Sequence, residues 1–303
     1  ASEWALWKVS CEGGGKEYEV PTSAWWVNGE LVERILDYPM PTPFFYEHLL
    51  IDGTKMSASL GNVVFPSEWL RVAPPQLLRF LYNKKLMKTR SFSWDELPRL
   101  YSDYDNHAGV FYGETAVPNE KERSHMTRLY EISQLEPPAE TRPGYIDFSF
   151  ASLIGQIYDP KTRMPEAIQA LKRSGVIGED LVENDIKRIE ERLNHGINWI
   201  KMFVPERALC LKKEPDPDVV ASLTQEEKKT LMELAMSIRE NPDPDSIQTS
   251  IFSLSESNGV KPGRIFQILY RLIIGLKSGP RLGPLVAALG SEEIADLIES
   301  AGA

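Results

Sequence analysis

From Pro66 onward, apolar residues recur at intervals of three and four, and this spacing predicts a chain that is mostly helical. Pro66 suits a first helical position, with Glu68 in the first turn. Pro75 opens the next predicted helix, with Leu77, Leu78, Leu81 and Tyr82 as its apolar stripe. Trp94 to Phe111 places Leu97, Leu100, Tyr101, Tyr104, Ala108 and Phe111 on one face. Further helices are predicted at about 119–135, 147–158, 163–173, 179–203, 224–240, 244–257, 262–277 and 291–300. Thr224-Gln225-Glu226-Glu227 reads as a capping box, and Pro215, Pro217, Pro242 and Pro244 punctuate loops.

The first 65 or so residues read differently. Trp4 to Ser10 suits a strand or a short helix, and a glycine cluster, Gly13-Gly14-Gly15, follows. Ser23 to Leu36 has helical spacing, ended by Pro39, Pro41 and Pro43. Phe44 to Ile51 is aromatic and apolar enough for a strand, and Asp52-Gly53 marks a tight turn. After Gly61 the pattern turns helical and stays so. One or two strands in so short a stretch cannot make a doubly wound sheet. The expectation is a mainly α protein with a small α/β piece in front, either an incomplete sheet or part of a larger domain.

Composition narrows the picture only a little. Of 303 residues, 42% are hydrophobic and 26% charged, which excludes a disordered chain or a coiled-coil rod. The net charge of −10 argues against a protein that coats nucleic acid non-specifically, yet permits a local basic face. Cys11 and Cys210 stand alone, without CxxC, so a reducing, cytoplasmic setting is expected rather than a disulfide framework or paired metal ligands. No apolar run approaches the ~18 residues of a membrane span. Ala1 to Trp7 has no signal-peptide character and reads like the middle of a folded domain.

The chemistry concentrates in Ile51-Asp52-Gly53-Thr54-Lys55-Met56-Ser57-Ala58-Ser59-Leu60-Gly61-Asn62. One lysine and two serines alternate on a loop between a predicted strand and a predicted helix. Such a loop suits a polyphosphate: Lys55 is a mobile point charge, Ser57 and Ser59 are hydroxyl donors, and the following helix N-terminus adds amides. A solvated hairpin loop with incidental Lys and Ser is the plainer alternative.

Lys55-Met56-Ser57-Ala58-Ser59 resembles the KMSKS signature of class I aminoacyl-tRNA synthetases, with Ala58 at the fourth position. The flanks resemble the class I lysyl-tRNA synthetases in particular. Pro43-Phe44-Phe45-Tyr46-Glu47-His48, Leu77-Leu78-Arg79-Phe80-Leu81, Ser102-Asp103-Tyr104-Asp105, Tyr130-Glu131-Ile132-Ser133-Gln134 and Gly279-Pro280-Arg281-Leu282-Gly283-Pro284-Leu285 carry that likeness. It implies ATP and Mg2+ as cofactors, lysine and a lysine tRNA as substrates, and Lys55, Ser57 and Ser59 as catalytic, ATP-holding residues. It also implies a division into 1–62, the end of a class I (Rossmann-type) α/β catalytic domain; 63–135, a helical stem-contact region; and 136–303, an α-helical anticodon-binding cage.

Two departures accompany the likeness. Members of the family carry a HIGH signature in an upstream Rossmann-type half, and none of His48, His107, His125 and His195 has a histidine three positions away. Where the family has Gly-Lys-Asp-His, this chain has Gly15-Lys16-Glu17-Tyr18, so only Lys16 matches as a substrate-binding residue. A fragment, a short paralogue, or a chain partnered by a separate N-terminal catalytic half would each fit. A non-catalytic paralogue that binds tRNA or a protein, and a glutamyl-type class I relative, stay open.

The remaining groups have bland readings beside functional ones. His107 reads as packing. Trp25-Trp26 is a core or domain-contact pair, or a pocket wall near the amino acid. Lys84, Lys85, Lys88 and Arg90 form a helix end or a contact to the inner corner of tRNA. Arg188, Arg192, Lys201, Arg207, Lys212 and Lys213 form a solvated face or a phosphate contact. Phe148, Phe150, Tyr158, Trp199, Phe203, Phe266 and Tyr270 are aromatic candidates for stacking on RNA bases, most of them needed by the core.

Overall fold

The computed structural model describes residues 1–85 and 87–303, and every side chain among them except that of Leu60. It opens with α1 (Ser2–Trp7), β1 (Cys11–Gly15), α2 (Ala24–Arg34) and β2 (Thr42–Tyr46). β1 and β2 run parallel, Gly13 opposite Phe44, with α2 as the crossover between them. The glycine cluster, which the sequence left without an element, is therefore part of a strand. Glycine has no intrinsic preference for strands, and pairing with the aromatic strand decides the matter. Trp4, Trp25 and Val32 form a small core, with Trp4 and Trp25 ring centroids 5.1 Å apart. Trp25 thus takes the core reading.

The expected single strand over Phe44 to Ile51 is two strands in two sheets. β2 stops at Tyr46, and β3 (Leu49–Ile51) starts a second sheet with β4 (Thr54–Lys55) and β5 (Arg90–Phe92), in the order β4-β3-β5. Glu47 at the break turns to side chains outside β2, and an apolar run cannot reveal such a change of sheet. β5 also corrects the expectation of unbroken helix after Gly61. Three residues are too few to show alternation, and parallel pairing to β3 makes them a strand.

Four helices follow: α3 (Pro66–Val72), α4 (Pro75–Asn83), α5 (Leu97–Phe111) and α6 (Glu120–Ser133). On α4 the buried stripe is Leu77, Phe80 and Leu81, while Tyr82 faces outward beneath the Arg90 guanidinium. Then come α7 (Phe148–Ile157), α8 (Pro160–Arg173), α9 (Glu183–Phe203), α10 (Pro217–Ala221) and α11 (Gln225–Glu240). The chain closes with α12 (Pro244–Ser257), α13 (Pro262–Ile274), α14 (Leu282–Leu289) and α15 (Ser291–Gly302). The Thr224 capping box on α11 is present. α14 was not expected, because Gly283 and Pro284 look like breakers. Pro284 sits at the third helical position, where no intrahelical N–H bond is lost. Gly283 is required there: a Cβ would fall 1.9 Å from the Pro244 carbonyl oxygen.

Two larger cores share α7 and α9. Trp69, Leu77, Phe80, Leu97, Tyr101, Phe148 and Trp199 form the middle one. Leu153, Leu171, Leu193, Leu231, Ile265 and Leu285 belong to the bundle core. Among the described residues, no helix is long and apolar enough to cross a membrane.

Candidate functional site

Asp52 and Gly53, with φ of 50° and 77°, make the two-residue turn that joins β3 to β4. Positive φ at both central residues matches the right-handed twist of the flanking strands, and glycine takes the second position without strain. The hairpin sets Lys55 opposite Leu50, at the exit of β4. Gly53 N–H donates to Ser91 Oγ at 3.0 Å, which pins the turn to β5.

Beyond Lys55 the chain closes on itself. The Asn62 amide donates to the Lys55 carbonyl at 3.1 Å, and its Oδ1 accepts from Ser57 N–H at 2.8 Å. Gly61, at φ 69°, provides the left-handed exit that lets Asn62 fold back. Ser57 and Ser59 hydroxyl oxygens lie 2.9 Å apart. The structure therefore brings the two serines together on a clamped loop. Lys55 is exposed, and among the described residues it enters no ion pair. Asn62 is a positioning residue that sequence reasoning did not single out. Its signal was present: an amide side chain next to a glycine, one loop-width after the serines.

One expected feature is absent from the loop. A short 3-10 turn (Ala58–Leu60) and an extended segment separate it from α3. The start of α3 is taken by its own Glu68, whose carboxylate accepts from Phe65 N–H at 3.3 Å. That helix end offers a carboxylate instead of free amides, so it is not part of a phosphate cradle.

Lys16 lies elsewhere in the same half of the fold. Its ammonium sits 2.8 Å from Glu47, which also accepts from Thr89 Oγ1 at 3.1 Å. The Lys16 contact holds the Glu47 carboxyl below its ordinary range. Glu17 faces His48 at 3.8 Å. Lys16 and Lys55 make no direct contact. They are linked through Glu47, three residues before the cross-strand partner of Lys55.

Several basic candidates have partners within the fold. Arg90 is buried, donating to the Lys85 carbonyl at 3.0 Å, and Lys84 pairs with Asp103. Arg192 makes a two-pronged pair with Asp105 at 2.8 and 2.9 Å and donates to the Ile146 carbonyl, so it is neither a solvated nor a phosphate-binding side chain. Arg207 pairs with Asp95, and Lys212 with Asp216. His107 packs edge-on against Phe80, as expected of a structural histidine. Among the aromatic candidates, Phe148, Phe150, Trp199 and Tyr270 are buried, and Phe203 stacks on Trp94 at 3.7 Å. Tyr158 and Phe266 are half-buried against the bundle core.

Comparison with known proteins bears on the same segments. A family model described as tRNA synthetases class I (K) matches residues 1–136, and one described as an anticodon binding domain matches residues 163–301. The chain is 27% identical over 96% of its length to a lysine–tRNA ligase of Methanosphaera stadtmanae, of which it covers 57%. It is 29% identical over 97% of its length to one from Borrelia garinii, of which it covers 56%. The chain thus spans about half the length of the curated relatives it matches. A solved glutamate tRNA ligase from Elizabethkingia meningosepticum aligns over 99% of this chain and 58% of its own, at 17% identity and a TM-score of 0.37. The signature loop lies inside the segment that matches the class I tRNA synthetase model, and the helical bundle inside the segment that matches the anticodon binding domain model.

Proposed function

We propose that the chain supplies the phosphate-binding loop and the tRNA-contacting helices of an ATP-dependent lysine–tRNA ligase. One observation carries this reading: Lys55 stands exposed, with no ion-pair partner among the described residues, on a loop that the Asn62 clamp holds in shape beside the Ser57–Ser59 hydroxyl pair. In the reaction the lysine carboxylate attacks the α-phosphate of ATP, the bond to the leaving pyrophosphate breaks, and the adenylate then acylates tRNA. Negative charge grows on the phosphoryl oxygens. A cation placed in advance acts most strongly on charge that develops in the transition state. Lys55 fills that role, with Ser57 and Ser59 as hydroxyl donors. Lys16 is a weaker candidate for substrate contact, since Glu47 already neutralises it.

Class I tRNA synthetases use ATP and Mg2+, and the metal supplies charge neutralisation at the phosphates. Among the described residues, no three His, Cys, Asp or Glu side chains converge to hold a metal. Magnesium carried on the phosphates needs no such cage. Residues 1–62, 63–135 and 136–303 take the catalytic, stem-contact and anticodon roles in this reading, and the setting is cytoplasmic. A further α/β segment, in the same polypeptide or separate, completes the site. α2 supports this: Trp25, Gly29 and Val32 face the core, while Val27, Leu31 and Ile35 form an exposed apolar stripe. Helices apolar on two faces belong between two layers.

A non-catalytic role in tRNA or protein binding is favoured by the Glu17-Tyr18 departure and by the Lys16–Glu47 pair. ATP–pyrophosphate exchange separates the two. The chain alone should give no lysine-dependent exchange, because misplacing reacting groups by ~1 Å costs on the order of 100-fold. Within a complete enzyme carrying this segment, exchange should appear, and Lys55→Ala should lower it roughly 100- to 1000-fold with lysine affinity little changed. Exchange that stays within about threefold after Lys55→Ala removes the loop from catalysis.

A further inference from the structure

A cavity of about 450 Å³ opens between α5, the segment following α6 and the first half of α9. Its size suits a nucleotide-sized ligand, and none of the residues lining it belongs to the signature loop. On a chain of net charge −10, four basic side chains line it against two carboxylates.

Its parts have distinct chemistry. The inner wall holds an internally bonded polar network of the Asp105–Arg192 pair and Tyr104, whose hydroxyl accepts from Gln134 Nε2 at 2.9 Å. Tyr145 lines the same cavity and is 46% exposed. The Arg142 guanidinium covers one face of its ring, 3.7 Å from the centroid, and is itself held by Glu114 at 2.5 Å. The ring is thus fixed in place with area left for a second stacking partner. Lys187 and Arg188 stand exposed on the first turns of α9, and neither enters an ion pair among the described residues.

We propose that this cavity takes a single nucleotide, with its base stacked on Tyr145 and its phosphate between Lys187 and Arg188. Aromatic faces bind any base by stacking, while exposed cations bind the backbone charge. Gln76 lines the same cavity with its buried Oε1 unpartnered among the described residues, and that oxygen offers an acceptor to the base edge. The ligand chemistry is a nucleoside monophosphate unit, either free or unstacked from an RNA strand. The assignment does not depend on the adenylation chemistry assigned to Lys55.

The test is a fluorescence titration of the 303-residue chain with a hexaribonucleotide bearing a central 2-aminopurine, with AMP as competitor. All proteins carry Lys55→Ala, so that phosphate binding at the signature loop is not counted. Saturable quenching is expected at low salt. Tyr145→Ala should weaken it about tenfold, the scale of base–aromatic stacking, and Tyr145→Phe should keep it within about twofold. Lys187→Ala combined with Arg188→Ala should weaken binding and flatten its salt dependence. Displacement by AMP identifies the free nucleotide as sufficient, and binding of the hexamer without displacement identifies the RNA-embedded one. Absence of saturable binding at low salt overturns the proposal, as does wild-type affinity in Tyr145→Ala. Should Tyr145→Ala fail to fold, the Lys187/Arg188 double variant decides by the same criterion. Lysine activation is not measured, so failure here leaves the ligase reading standing, and loss of that reading leaves this one testable.

Discussion

His195 shows how one side chain can carry a pH dependence for the molecule. It lies on α9 with Nδ1 3.2 Å from the Tyr101 hydroxyl. Burial, and after it the Arg192 guanidinium, push its pKa down to about 4. In the unfolded chain it titrates near the ordinary 6.5. Between those values the unfolded state binds a proton that the native state refuses. Stability from this group is therefore complete above pH ~6.5 and declines as the pH falls toward 4, by about 3 kcal/mol in all. Urea unfolding at a series of pH values should show that decline, and His195→Gln should flatten it. An unchanged slope in the variant would place the pH dependence on other groups. The same scale explains two outcomes at the candidate site. Lys55 was legible because a lysine flanked by alternating serines is an uncommon pattern. Arg192 looked like any surface arginine until the fold set Asp105, which is 87 residues away, against it.

At the scale of elements, α9 joins the molecule together. Ile189 and Leu193 pack into the bundle core, and Trp199 and Ile200 into the middle core. Asn198 donates to the Arg71 carbonyl at the end of α3, and Trp199 Nε1 to the Trp94 carbonyl. Its closest neighbour is α7, and Gly196 permits the approach. A Cβ there would lie 2.5 Å from the Ser152 Cα, which is backbone and cannot swing away. Gly196→Ala should therefore destabilise. Overpacking of this kind costs about 1–3 kcal/mol, offset by up to about 1 kcal/mol from better helix propensity. Gly263→Ala, in the first turn of α13 with nothing within 4 Å, should be neutral or slightly stabilising. Thermal melts of the two variants check this, and equal melting temperatures would show that α7 and α9 can part at little cost. Helix ends follow the same division between local and tertiary causes. α8 runs from Pro160 but bends at Arg163, so the regular spacing begins where the sequence placed it. α13 ends at Ile274, three residues before the predicted end, with Gly275 capping it in the left-handed conformation.

At the scale of the whole molecule, charge and architecture oppose each other. A chain of net charge −10 repels RNA wherever its surface is not locally reversed. Much of its cationic surface is also spent on its own carboxylates, as at Arg239 with Glu292, Asp296 and Glu299. Binding of tRNA through residues from about 136 onward should therefore be weak and strongly salt-dependent, discriminating by anticodon sequence rather than by bulk charge. Anisotropy titrations of the full chain at two salt concentrations check this. A lysine tRNA should bind better than the same tRNA with a swapped anticodon, and the difference should persist at moderate salt. Equal affinities would move the bundle away from anticodon recognition.

The sequence by itself determined what depends on near neighbours along the chain. Periodic apolar residues specified the long helices, Thr224 its cap, Asp52-Gly53 its turn, and Lys55 to Ser59 the candidate chemistry. Each rests on contacts within a few residues, where spacing alone decides which groups meet. Tertiary structure decided what depends on distant partners. It made a strand of Gly13-Gly14-Gly15 and another of Arg90 to Phe92, divided Phe44 to Ile51 between two sheets, and turned Arg192 and Arg90 inward. A three-residue strand has no period to read, and a buried arginine is written in the same letter as an exposed one. Only the partner across the fold, which supplies the ladder bond or the opposite charge, distinguishes them.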